Sequence, residues 1–492
     1  MTISRQRHMH WAALGIVTAL VLAALAPAWA TPDYQELAAR ITPGGLSEKI
    51  EAFASLGSRV SGYPGNEKAG DMVLQAFKDL GMQTWVQEFE VPTSLEDSAD
   101  LTIGGKSYEL HAVWPNLCRT SQVPREGITG PVVYVGRGAL SDFNGKPTEN
   151  AIVLMDFNTG QNWLNAPLLG AAAVVFIEPA QITRGEAEMK MIRCPVDAPR
   201  FYVSADDAAD IQSMAIQGGV NGRLTSRVNW ANKTNRNIIG ILPGSDPQLR
   251  NEAIILEAYY DSMSVVPAVS PGAENAVSIA TLLRLAEIFA QDPPRRSVIF
   301  LACSGHFAAL SGTREFVDLW GKEPRKERLR QERLGKLNDE LGELQRALDD
   351  TSNELDKMLA RRRELESNQS SMEPAQLSRA RERASRINVG QLELGEGAAL
   401  ARKQRLEQEI ARKQRDIQLW QRLDQFERIH LFIGLDLSTH TATLGAFQVG
   451  WYYSQAHLLR FYSPLGKQYA QYAEDITEAL GLNFEENYVD GI

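Results

Sequence analysis

Between Ala253 and Ala302 the chain reads as an apolar strand, an acidic strand end, a Pro-Gly loop, a helix and a second apolar strand. Ala253 to Ala258 and Ser297 to Ala302 are nearly continuous apolar runs, without the in-out alternation of a strand that faces water on one side. Val277 to Ala290 repeats its apolar residues at helical period. Such strands need cover on both faces, and the helix between them supplies part of it. The segment therefore predicts an α/β fold in which a mixed sheet is flanked by helices.

The neighbouring stretches extend this pattern. Residues 31–94 read helix, loop, helix, strand: Ser58 to Asn66 is a loop by its Gly and Pro content, Glu67 to Leu80 is helical with Gly81 as a cap, and Thr84 to Val91 alternates. Ile238 to Leu242 is a further strand in the segment 231–320. Residues 95–230 differ in character. Short strands such as Pro131 to Val135 and Ala151 to Met155 alternate with Gly, Asp and Asn turns, which predicts a compact β-rich insert.

Residues 321–428 break the α/β pattern, being dense in Lys, Arg, Glu and Gln. Leu334, Leu337, Leu341, Leu344, Leu348, Leu355 and Met358 step by threes and fours, with Thr351 in the remaining seam position. Breaks are expected near Ser367 to Pro374 and Asn388 to Gly397, and Leu406, Ile410, Ile417 and Trp420 mark a returning helix. The reading is an inserted antiparallel coiled-coil arm. The α/β pattern resumes over residues 429–492, beginning with a buried-looking strand from Ile429 to Ser438 that carries Asp436. The final Asn487 to Ile492 is an unusual place for a natural terminus, and truncation of a longer protein is one reading of it.

At the other end, Arg5 and Arg7 precede an apolar run from Trp11 to Leu25, then Pro27 and the small-residue site Ala28-Trp29-Ala30. This is the layout of a signal peptide over residues 1–30, cleaved after Ala30, and it predicts a periplasmic or secreted protein. The alternative is an uncleaved anchor helix, the one route here to a membrane. An exported compartment permits a disulfide, and Cys118 and Cys194 share the insert; whether they pair is left open, and Cys303 follows an apolar strand as a core thiol would. The formal net charge of −10 argues against a nucleic-acid partner.

Three segments together resemble the co-catalytic di-zinc exopeptidases of clan MH, the bacterial leucyl aminopeptidase, aminopeptidase Y and glutamate carboxypeptidase group. They are Gly57 to Asn66, Asn237 to Ser245, and Ile255 to Phe289 continued by Arg295 to Phe300 and Ser311 to Phe316. The resemblance covers residues 35–320 and 429–490 and leaves the arm outside. Gly130 to Gly136 and Gly170-Ala171-Ala172 are similar to the protease-associated domain that many relatives insert at this point.

The resemblance implies two zinc ions sharing a water. A His and a carboxylate would serve each metal, an Asp would bridge, and a Glu would act as base. This sequence departs from that set repeatedly. Tyr259 replaces a ligand His, while Asp261, which would orient that imidazole, is kept. Glu274 stands in a shortened bridging loop, Pro271 to Asn275. His306 and Phe307 stand where the base and another ligand are expected. Asp436 matches a later ligand Asp, and no clear counterpart of the final ligand His precedes Ile492.

Two readings follow. In one, zinc is weakly held or absent, hydrolysis is impaired, and the protein binds a peptide or protein partner, with association through the coiled coil. In the other, a remodelled metal site uses Asp436, Glu274 and Asp261 with His306 and His440, gathered at the carboxyl edge of the sheet, in an active zinc aminopeptidase or carboxypeptidase.

Overall fold

A computed structural model describes residues 34–191, 197–320, 327–370, 386–437, 443–446, 475, 478, 481 and 483–486. Residues 1–30, read above as a signal peptide, and Cys194, His440 and His457 lie outside the described residues. The chain forms two compact units, one of residues up to 84, 89–313 and 429 onward, the other of residues 85–88 and 314–428.

The first unit is an α/β body built on an 11-stranded mixed sheet. Helices α1 (Tyr34–Ala39), α2 (Pro43–Ala54) and α3 (Pro64–Asp79) lead into the long strand β1 (Gln83–Ile103). Next come β2 (Lys106–Glu109), β3 (His111–Ala112), β4 (Ile128–Tyr134) and β5 (Ile152–Asp156). The short helix α4 (Asn165–Leu168), β6 (Ala173–Ile177), α5 (Arg184–Glu188), β7 (Arg200–Val203) and α6 (Ala205–Gln217) complete the insert. Strands β4, β5, β6 and β7 run parallel in that order, with β3 antiparallel on β7. Residues 128–217 thus contribute four parallel strands of the same sheet, with short helices between them.

Strand β8 (Asn221–Leu242) joins the two regions. Its start, Asn221 to Leu224, pairs antiparallel with β4, and its end, Ile238 to Leu242, pairs antiparallel with β10 (Ser297–Cys303). One strand therefore belongs to the insert and to the main sheet. Beyond β10 the order continues to β9 (Glu252–Tyr259) and then β11 (Arg428–Leu435).

The apolar runs bury as their composition demands. All seven residues of β10 are buried, and β9 is buried from Ala253 to Tyr259. Helix α7 (Ala276–Gln291) has twelve buried residues, so it is enclosed on nearly all sides rather than along one stripe. Its buried Thr281 hydroxyl is satisfied by the carbonyl of Val277 at 2.9 Å. Among the described residues no helix is long and apolar enough to cross a membrane.

In the second unit, α8 (Ser311–Trp320) contributes its residues from Arg314 on, with α9 (Glu327–Ser370) and α10 (Arg386–Leu423). Ion pairs Arg330–Asp424, Glu340–Lys413 and Arg362–Glu396 ascend one helix as they descend the other, which makes the pair antiparallel. Leu337, Thr351 and Leu355 are buried along the expected seam, facing a helix that buries Ala399, Leu406, Ile417 and Trp420. The Thr351 hydroxyl bonds the Ala347 carbonyl at 2.7 Å, so a polar residue sits in the seam without an unpaired group.

One boundary differs from expectation. No break occurs between Asn388 and Gly397, because α10 runs through Gly390, Gly395 and Gly397. Each helical glycine costs about 1 kcal/mol relative to alanine. Pairing with α9 outweighs this, and Gly395 lies against the thioether of Met358.

Candidate functional site

The site is assembled from the ends of adjacent strands. β9 and β10 are parallel with Tyr259 opposite Cys303, so the loops that follow them leave the sheet at the same edge. Tyr260, Asp261 and Ser262 follow β9, Ser304 to Phe307 follow β10, and Asp436 follows β11.

Tyr259 joins two of these ends. It is only 4% exposed, and its hydroxyl donates to Oδ1 of the exposed Asp436 at 3.1 Å. Its ring stacks on His306, centroids 4.0 Å apart and planes 27° from parallel. Phe307 stands edge-on to both, at 5.4 Å from Tyr259 and 4.9 Å from His306. Burial, reinforced by the Asp436 charge, pushes the Tyr259 phenol well above its ordinary range, so it stays protonated as the donor. Burial also pulls the His306 imidazole below its usual value against the opposing pull of Asp436. Nδ1 of His306 is buried with no hydrogen-bond partner, and the ring packs against Tyr259 and Phe307.

Beneath this aromatic group lies a polar floor. Asp261, 1% exposed, accepts the Ser61 hydroxyl at 3.1 Å, and Ser61 Oγ in turn accepts the Gly305 amide at 3.1 Å. Burial raises the Asp261 carboxyl to about 7, against the hydrogen bond from Ser61. Asn66 donates to Ser304 Oγ at 3.0 Å, and Ser304 donates to Asn235 at 2.8 Å. The carboxylate that would orient a histidine ligand now belongs to a network that fixes the loop after β10.

Arg59 fixes the other loop. Fully buried, it donates to the carbonyl oxygens of Tyr260 at 3.0 Å, Pro271 at 2.6 Å and Gly272 at 2.9 Å. Burial lowers its pKa to about 10, which the Asp261 charge resists. Gly272 takes φ +58°, and a Cβ there would lie 2.5 Å from Ser262 Cβ, so this turn requires glycine. Glu274 is exposed on the same loop.

Glu257 is a member of this region that sequence reasoning passed over. It sits in the middle of β9, two residues before Tyr259 and so on the same face, 8% exposed. The Thr313 hydroxyl donates to it at 3.2 Å. Burial raises its carboxyl to about 7, and the charges of Asp436 and Asp261 add to the shift. The available signal was an acid inside an otherwise apolar strand. Arg59 and Ser61 lay in the loop singled out from sequence, but nothing in the loop's composition distinguished structural from reactive side chains. Cys303 is fully buried and its thiol is pushed well up by burial, as fits a core residue.

The structure thus brings Tyr259, Asp261, His306, Phe307 and Asp436 to one edge of the sheet. Their chemistry does not fit a two-zinc centre. Phe307 offers no donor atom, and the Tyr259 hydroxyl is spent on Asp436. Among the described residues no group of three or more His, Cys, Asp or Glu side chains is arranged to hold a metal ion.

A mixed, helix-flanked sheet with the candidate site's loops at the strand ends defines the chain as an α/β protein. Residues 237–379 match the model of Peptidase family M28. Aminopeptidase YwaD of Bacillus subtilis is 22% identical over 276 residues, covering 56% of each chain. The probable lipoprotein aminopeptidase LpqL of Mycobacterium tuberculosis is 23% identical, over 54% of this chain and 52% of its own. The chain therefore spans about half the length of the curated relatives it matches. Among solved structures, BSAP, a zinc aminopeptidase from Bacillus subtilis, is 21% identical with a TM-score of 0.40, covering 56% of this chain and 64% of that one.

Proposed function

We propose that this protein is an exported member of the exopeptidase class that lacks the two-zinc hydrolytic centre and acts by binding a peptide or protein partner. The observation that carries this reading is the Tyr259–Asp436 hydrogen bond: the side chains at two positions that the resemblance assigns to metal ligands are bonded to each other. The His306 and Phe307 rings packed against Tyr259 add to it, since neither supplies the carboxylate expected of a base or a ligand. The names of the relatives, aminopeptidases and in one case a lipoprotein, support the fold's ancestry and an extracytoplasmic setting. The helical pair, with its charged outer positions, offers a surface for a protein partner.

The test is metal analysis of the purified full chain after incubation with zinc, beside hydrolysis of aminoacyl nitroanilides. Less than one equivalent of tightly held zinc and no hydrolysis are expected. Two equivalents with chelator-sensitive hydrolysis would overturn the proposal. A second reading, a remodelled single-metal site, draws support from the exposure of Asp436 and Glu274. One equivalent of zinc, lost on Asp436→Ala, would establish it instead.

A further inference from the structure

Strand β11 ends the strand order of the main sheet, and packing gives it little purchase. Of its eight residues only Leu435 is fully buried, while Arg428 and Gly434 are exposed and the rest are half-buried. Side-chain ties at its two ends supply what packing does not. Near its start, His430 Nε2 lies 2.6 Å from the Glu252 carboxylate, which also takes Arg296 Nε at 2.7 Å. Past its end, the Leu437 amide donates to Ser278 Oγ at 3.0 Å, and Asp436 accepts the Tyr259 hydroxyl.

The second of these ends falls where the resemblance expects metal ligands. A cation held by residues at both positions would tie β11 to β9. Here a neutral phenol on β9 donates to a carboxylate just after β11, and no cation is needed to bring the two together. The phenol ring is pre-set for this. It is stacked on His306 and abutted by Phe307, so its hydroxyl reaches Asp436 without further loss of side-chain freedom.

We propose that Tyr259 is a positioning residue whose hydroxyl, with Asp436, forms a metal-free clasp fastening the end of β11 to β9. The substitution of the ligand histidine then replaces a structural function of the metal as well as removing a ligand. This rests on the reading that the two-zinc centre is absent. It adds that the sheet edge holds its shape without any cation.

Hydrogen exchange on the full chain tests it, read on peptides covering β11 for the wild type, Tyr259→Phe, Asp436→Ala and the double variant. Tyr259→Phe keeps the ring and its stacking and loses only the hydroxyl, so the fold is retained. Exchange in β11 should rise by about tenfold to a hundredfold, the range for losing a hydrogen bond to a charged group. The double variant should exchange no faster than the quicker single variant. Wild-type β11 exchange should be the same with EDTA and with added zinc. Unchanged exchange in Tyr259→Phe, or additive effects in the double variant, would overturn the clasp. Faster β11 exchange on adding EDTA to the wild type would overturn its metal-free character. The metal analysis above fails separately: two bound zinc ions with hydrolysis would sink the functional reading, whatever the variants do to β11.

Discussion

Arg59 Nη1 donates to the carbonyl oxygen of Pro271 at 2.6 Å, binding the loop before α3 to the loop before α7 from a fully buried position. The same guanidinium serves Tyr260 and Gly272, so one side chain satisfies three backbone oxygens from two segments. That explains how the Pro-Gly loop keeps a defined course although the bridging residue it would carry in a di-zinc enzyme is altered. Arg59→Met removes all three donations while roughly preserving the buried stem. The Gly272 oxygen keeps the Ala276 amide at 3.2 Å, and each carbonyl left stranded costs about 1–3 kcal/mol, so the variant should lose about 2 kcal/mol or more in a urea unfolding experiment. A loss under about 1 kcal/mol would mean that water replaces the guanidinium.

Gly272 makes a related demand on the same loop. Its φ is positive, and a methyl group added there would come within 2.5 Å of Ser262 Cβ, which leaves no room for alanine. Gly272→Ala should lower stability by about 1–3 kcal/mol, the range for forcing an ordinary residue into such a conformation together with a backbone shift. Differential scanning calorimetry reads this directly, and an unchanged unfolding temperature would show that the loop can relax.

Glu257 gives the region a definite pH dependence. Its carboxyl rises from an ordinary 4.5 to about 7 in the folded protein, so the folded state binds the proton more tightly than the unfolded state. The associated stability is fully present below about pH 4.5 and is lost as the pH climbs through about 7. Asp261, raised from 3.8 to about 7, slopes in the same direction. Glu257→Gln removes one of the two contributions. The variant should match the wild type near pH 4 and exceed it in urea midpoint at pH 8, with a shallower slope between. A wild-type midpoint that rises from pH 5 to pH 8 would contradict the assignment.

The elements of this fold were legible where hydrophobic pattern alone decides them. β9, α7 and β10 are apolar because they are enclosed, and enclosure leaves its mark residue by residue. In the helical pair the same mark is left at Leu337, Thr351 and Leu355, which are buried, and the Thr351 hydroxyl is satisfied within its own helix. The site was legible as a set of departures: Tyr259, His306 and Phe307 stand where other residue types were expected. What those residues do instead was not legible. The Tyr259–Asp436 bond spans 177 positions in sequence, and the Tyr259–His306 stack depends on how two strand ends are registered. Nor did β8 announce that it runs unbroken from insert to main sheet, because its polar middle, Asn229 to Asn237, resembles a linker. The glycines of α10 misled for a complementary reason. Local propensity argues for a break there, and tertiary pairing overrides it.

That override has a measurable counterpart. At Gly395 an added Cβ would meet the Met358 sulfur at 3.5 Å, an ordinary contact, and at Gly397 it would meet nothing within 4 Å. Both positions already have helical backbone, so alanine can be accommodated without strain. Gly→Ala at either site reduces the freedom of the unfolded chain and should stabilise the helical pair by about 0.5–1 kcal/mol. Positions two apart on an α-helix do not face each other, so the paired substitution should give about the sum. Circular dichroism at 222 nm during urea titration follows this, because the helical pair supplies about half of the helical residues among those described. Stabilisation at Gly397 but not at Gly395 would show that the Met358 contact is tighter in solution than 3.5 Å implies. Destabilisation at both would mean that the backbone leaves the helix there, restoring the break that the sequence suggested.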